Sequence, residues 1–130
     1  MNLGDKYQYT FSFTQTQVNA FAQVTGDDNP LHLDDAYAAA TFFKKPIIHG
    51  FLGGSIFSKV FGTLWPGEGT IYLKQNLEFK RPMYVEESYT ANFEVIAFDN
   101  RRRWATIRTT IVNDKGKVII AGEAVIQYQT

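Results

Sequence analysis

Gly50-Phe51-Leu52-Gly53-Gly54-Ser55-Ile56-Phe57-Ser58-Lys59-Val60-Phe61 is the stretch that decides the fold class. It is apolar nearly all round, and a helix with no clear polar face is expected to be buried. The small residues Gly53, Gly54 and Ser55 would let it approach a sheet closely. Gly62 and Pro66-Gly67 are stop signals beyond it.

Downstream the pattern changes from helical to period two. Ile71 to Phe79 reads as one strand and Tyr89 to Phe98 as a second, with Ala91, Phe93, Val95 and Ala97 on one face. Trp104 to Val112 is a third, with Ala105, Ile107, Thr109 and Ile111 alternating, and Val118 to Tyr128 is a fourth. Asp99-Asn100-Arg101 and Asn113-Asp114-Lys115-Gly116 are the turns between them. Upstream, Tyr7 to Phe13 alternates as a further strand. Thr14-Gln15-Thr16-Gln17 forms a capping box for a helix to about Val24, with Val18, Phe21, Ala22 and Val24 as its buried face. Asp34 or Asp35 opens a short helix through Ala40. One buried helix followed by an antiparallel meander makes an α+β layer in a single domain, residues 1–130. Such a layer leaves a sheet edge and a face to cover, which favours a dimer.

Composition narrows the function. The 130 residues are 45% apolar, enough for a core at this size. Thirteen basic and thirteen acidic side chains cancel, which argues against nucleic-acid or membrane-surface binding. There is no cysteine, the first residues lack a signal-peptide core, and no run approaches membrane-spanning length. A soluble cytoplasmic protein is the expectation.

The chemistry gathers in Thr25-Gly26-Asp27-Asp28-Asn29-Pro30-Leu31-His32. Gly26 and Asn29-Pro30 mark the segment as irregular. A tight loop would turn Asp27 and His32, five residues apart, toward one water. Pro46-Ile47-Ile48-His49-Gly50 leads into the apolar helix, and the amides at such a start accept developing negative charge. A carboxylate, an imidazole and an anion-accepting helix start suggest proton transfer on a carbonyl compound. The plainer readings are a turn-stabilising Asp27, a capping or packing role for His49, a Ser58 hydroxyl bonded one helical turn back and a solvated Arg101-Arg102-Arg103 turn. Tyr7, Phe11, Phe51, Phe57, Phe79 and Phe93 read as core or dimer-interface residues. His32 and His49 lie seventeen residues apart with no helical ligand motif, so no metal is expected.

Phe21-x-x-Val24-Thr25-Gly26-Asp27-x-Asn29-Pro30-Leu31-His32, with Ala38 six residues on, resembles the signature of the MaoC-like hydratases, the R-specific enoyl-CoA hydratases. Pro46 to Gly50, Gly69 to Leu73, Phe79 to Val85 and Gly122-Glu123-Ala124 extend the likeness from about Tyr9 to Tyr128. The resemblance implies a dimeric hot-dog fold and R-specific hydration of trans-2-enoyl-CoA. It implies Asp27 and His32 as the catalytic pair, the Gly50 amide at the thioester oxygen and Ser58 in the acyl pocket. Asn29 joins the substrate-binding residues. Lys80 and Arg81, with Lys44 and Lys45, are the cations offered to coenzyme A phosphates. Coenzyme A would enter as part of the substrate, with no other cofactor. A hot-dog thioesterase and a non-catalytic acyl-thioester-binding subunit are the rival readings.

Overall fold

A computed structural model of the protein describes residues 1–129. Its elements run β1 (Lys6–Phe11), α1 (Gln15–Thr25), α2 (Pro30–Leu33), α3 (Asp35–Ala39), α4 (Gly50–Thr63), β2 (Ile71–Gln75), β3 (Glu78–Phe79), β4 (Tyr89–Asp99), β5 (Trp104–Asn113) and β6 (Val118–Gln127). The strands form one antiparallel sheet in the order β1-β4-β5-β6-β2, with β3 also on β6. The layout is the helix-plus-meander expected from the residue pattern.

The core forms where α4 meets the inner face of the sheet. The register aligns Phe93 with Thr109 and Thr109 with Gly122. The next row is Val95, Ile107 and Ala124. Phe57 and Phe61 of α4 meet the Phe93 ring edge-on, at centroid distances of 5.7 and 5.3 Å. Leu52, Gly53, Ile56 and Val60 complete the buried side of the helix. The opposite side is not buried: Phe51 is 70% exposed, and Ser55, Ser58 and Lys59 are exposed beside it. The expectation of an all-round buried helix is corrected by this face.

The small residues act where close packing demands them. A Cβ on Gly53 would stand 3.0 Å from Ile120, and one on Gly54 would stand 3.2 Å from Leu77. The segment expected as one strand from Ile71 to Phe79 breaks after Gln75. There Asn76 leaves the ladder and caps the β6 backbone, exchanging hydrogen bonds of 3.0 and 3.1 Å with Glu123. Its carbonyl lies over Gly122, where a Cβ would come within 1.9 Å. Only glycine leaves space for that crossing. Ala97, expected inward, is exposed because a bulge between Val95 and Ala97 shifts the register.

Thr14 caps α1 with the complete capping box: its hydroxyl accepts from the Gln17 amide, and the Gln17 side chain accepts from the Thr14 amide. Val18 and Ala22 are buried, but Val24 is 86% exposed. Six residues beyond Val18, Val24 falls on another side of a 3.6-residue helix.

Candidate active site

The site is built where α1, α2 and the start of α4 converge. Gly26 ends α1 in the left-handed conformation, with φ 79°, and its N–H donates to the Ala22 carbonyl. The Thr25 hydroxyl donates to the Phe21 carbonyl and accepts from the Asp27 amide. Asn29 then caps a helical turn, its side-chain oxygen accepting from the Leu31 amide, with Pro30 in the first helical position. The segment expected to be irregular therefore contains one helical turn, α2. That turn carries His32 inward, to 9% exposure, while Asp27 and Asp28 remain exposed.

The irregular run before α4 locks this turn. The Ile47 amide donates to the Leu31 carbonyl, and the Ile47 carbonyl lies 2.7 Å from His32 Nδ1. A carbonyl only accepts, so Nδ1 carries the hydrogen, and neutral His32 presents its Nε2 lone pair. Two residues on, His49 Nε2 lies 2.9 Å from the Asp27 carbonyl oxygen and donates to it. The His49 ring stacks on His32, with centroids 3.8 Å apart and planes 26° apart, and Phe21 packs on it at 4.8 Å.

Asp27, His32 and His49 each bring one ligand-type atom within 4.8 Å of the others. Seventeen residues of chain thus do not separate the histidines, and the spacing argument against a shared metal is corrected. One nitrogen of each ring donates to a main-chain carbonyl, which leaves the other nitrogen of each as its acceptor.

His49 also occupies the N-cap of α4, but its side chain makes no capping hydrogen bond. The Leu52 and Gly53 amides donate to the His49 carbonyl. The Gly50 and Phe51 amides have no acceptor among the described residues, so the helix presents two N–H groups at its mouth. Beside them is a mainly apolar cleft of about 440 Å³ bounded by His49, Gly50, Gly53, Phe79, Met83 and Ile120. A Cβ on Gly50 would come within 2.7 Å of the Phe79 ring, so glycine keeps this wall back. A larger hollow of about 540 Å³ lies on the other face of the sheet among Lys6, Gln8, Asn92 and Glu94. It holds no acid/base pair beyond the Arg108–Glu94 ion pair, whose charges satisfy each other.

The chain matches the MaoC-like domain model over residues 2–117. The chain belongs to the MaoC-like family. It is 42% identical over 127 residues to an (R)-specific enoyl-CoA hydratase of Aeromonas caviae, covering 98% of this chain and 95% of the relative. It is 37% identical over 115 residues to an (R)-specific enoyl-CoA hydratase of Rhodospirillum rubrum, covering 88% and 79%. The solved structure of the A. caviae (R)-hydratase involved in PHA biosynthesis superposes with a TM-score of 0.95 at 42% identity, over 99% of this chain and 98% of that one.

In this MaoC-like domain, the residues singled out from sequence are not all gathered at one place. Asp27 and His32 meet, and His49 connects them to the cleft that Gly50 borders. Lys80 and Arg81 line the same cleft. Lys80 also pairs with Glu78 at 3.1 Å, and Arg81 Nη1 donates to the Val118 carbonyl. Lys44 and Lys45 are not among the lining residues, and Lys45 instead faces Glu87 and the Tyr84 ring. Asn29 uses its side-chain oxygen as a helix cap. Ser58 lies on the exposed side of α4, outside the cleft lining, and the hydroxyls that bond back along the helix are those of Ser55, to Leu52, and Thr63, to Lys59. The residue underweighted from sequence is His49. Its position directly before Gly50 was the available signal, but its partners are distant in the chain.

Proposed function

We propose that the protein hydrates trans-2-enoyl-CoA reversibly to (R)-3-hydroxyacyl-CoA, with Asp27 and His32 handling the water and the Gly50 amide holding the thioester oxygen. The observation that carries this reading is the hydrogen bond from His32 Nδ1 to Ile47, which leaves Nε2 as the acceptor of a ring that lies, like His49, within 4.8 Å of an Asp27 ligand atom. Two acceptors suit one water with two hydrogens. As the water oxygen attacks C3, its proton passes to the pair. Negative charge then grows on the thioester oxygen, where the unpaired amides at the start of α4 receive it. A donor of this kind contributes about 3–4 kcal/mol to lowering a barrier. Return of the proton to C2 completes the addition, and the product is the R alcohol, as the names of the two hydratase relatives suggest.

Coenzyme A takes part as the carrier on the substrate, its phosphates toward Lys80 and Arg81, and neither a metal nor another cofactor is required. The active form is a homodimer. Supporting this, strand β2 is a sheet edge bearing exposed Ile71 and Leu73, and Phe51 and Phe79 are exposed with their rings 5.6 Å apart. No helix among the described residues is long and apolar enough to cross a membrane. The absence of cysteine suits a reducing cytoplasm.

Crotonyl-CoA is the test substrate. Loss of enoyl absorbance without release of free thiol, and with an R product, is expected, and chelator leaves the rate unchanged. Free thiol would instead mean a thioesterase, and tight binding without turnover would mean a carrier subunit.

A further inference from the structure

We propose that His49 is a positioning residue for the Asp27–His32 pair, its ring a plate under the base and its Nε2–H a clamp on the carboxylate's backbone. The effect on turnover rests on the hydratase reading; the effect on His32 itself does not.

The location of His49 calls for an explanation that capping does not supply. The N-cap of a helix favours Ser, Thr, Asp or Asn, whose side chains accept from the first amides. His49 makes no such bond and is 2% exposed. Packing alone does not explain it either. Its Nδ1 is buried with no hydrogen-bond partner, an uncompensated cost that phenylalanine would avoid. What phenylalanine lacks is the donor, and that donor is spent on the Asp27 carbonyl at 2.9 Å.

One side chain therefore touches three parts of the site. Its ring meets Phe21 on α1 and His32 on α2, and its Nε2 meets the main chain of Asp27. Its own carbonyl accepts from Leu52 and Gly53, fixing the first turn of α4 and with it the direction of the Gly50 amide. A shift of His49 would displace the base, the carboxylate and the oxyanion donor together. Catalytic geometry is sensitive to displacements of about 1 Å.

Two variants separate plate from clamp. His49→Phe keeps a ring against His32 but removes the donor, whereas His49→Gln keeps a donor near the Nε2 position and removes the ring. Each is expected to lower kcat for crotonyl-CoA by about 10–100-fold, with KM within about twofold and melting temperature close to that of the parent. Because the chain has two histidines, the imidazole nitrogens can be assigned in a long-range ¹H–¹⁵N spectrum. The parent should show His32 protonated at Nδ1. His49→Gln should show a mixture of tautomers at His32, while His49→Phe should retain the parent pattern.

Parent-like kcat in both variants, with His32 signals unchanged in His49→Gln, overturns the proposal. So does a fall in kcat that vanishes on cooling in step with a lowered melting temperature, since that is a folding role only. If the parent itself does not turn over crotonyl-CoA, the hydratase reading fails, and the His32 tautomer in His49→Gln still decides whether His49 positions it.

Discussion

The meander and the site segment are held together by different kinds of force. From Tyr89 to Gln127 the chain repeats one rule, with alternate residues inward and a backbone ladder that pairs neighbouring strands. Stability there is distributed over many similar contacts, and buried apolar area supplies it. From Gly26 to His49 there is no sheet and no long helix. That segment depends on a few particular bonds, namely His32 to Ile47, His49 to Asp27 and the Asn29 cap. The contrast teaches that the two regions should fail differently: damage to the meander should lower stability, and damage to the site segment should lower turnover.

The sharpest way to break the contrast is to remove the pair itself. Asp27→Ala and His32→Ala should each lower turnover by about 10²–10⁴-fold, with melting temperatures near the parent's. Full activity in either purified variant would end the proposed mechanism. The counterpart in the core is Phe57→Ala, which removes a fully buried ring facing Phe93 and should cost about 3–5 kcal/mol in urea unfolding. Gly122→Ala comes next, at about 3 kcal/mol, because its Cβ meets the Asn76 main chain and not a side chain that can turn away. A Gly122→Ala protein as stable as the parent would mean that the β2–β3 kink is not fixed by that crossing. Thr14→Ala, far from both regions' centres, should cost about 1 kcal/mol through the lost cap, read by thermal melting.

Alkaline titration probes the buried phenols. Burial holds Tyr72 and Tyr89 protonated above the ordinary value of 10.0. The unfolded chain then gives up these protons first. Their contribution to stability is full below that value and is lost as the pH rises above it toward the folded-state values. Denaturant midpoints measured from neutral pH to above pH 10 should fall only in the upper part of that range.

The parts of the fold legible in sequence are those governed by local rules. The Thr14 capping box, the Asp34 cap of α3, whose carboxylate accepts from Tyr37, and the inward series Ala105, Ile107, Thr109 and Ile111 all stand where pattern placed them. Val24 is outward by the helical period alone, whereas other misplaced details involve the tertiary surroundings. Strand β2 ends at Gln75 because Asn76 engages Glu123 across the sheet. Phe51 joins an open side of α4, which apolar composition alone could not distinguish from the buried one. At the site, the motif around Asp27 and His32 was visible as residue identity and spacing. The stacking of His49 on His32 was not, since no local period relates residues seventeen apart.

By itself the sequence determined the alternation that builds the sheet, the apolar helix that fills it and the residue types present for acid/base work, because each depends on neighbours within a few positions. Only the tertiary structure decided which histidine nitrogen is left with its lone pair, which carbonyl His49 holds and which side of α4 stays open. Those outcomes rest on hydrogen bonds and ring contacts between segments brought together by folding, where a shift of an ångström makes or breaks the interaction.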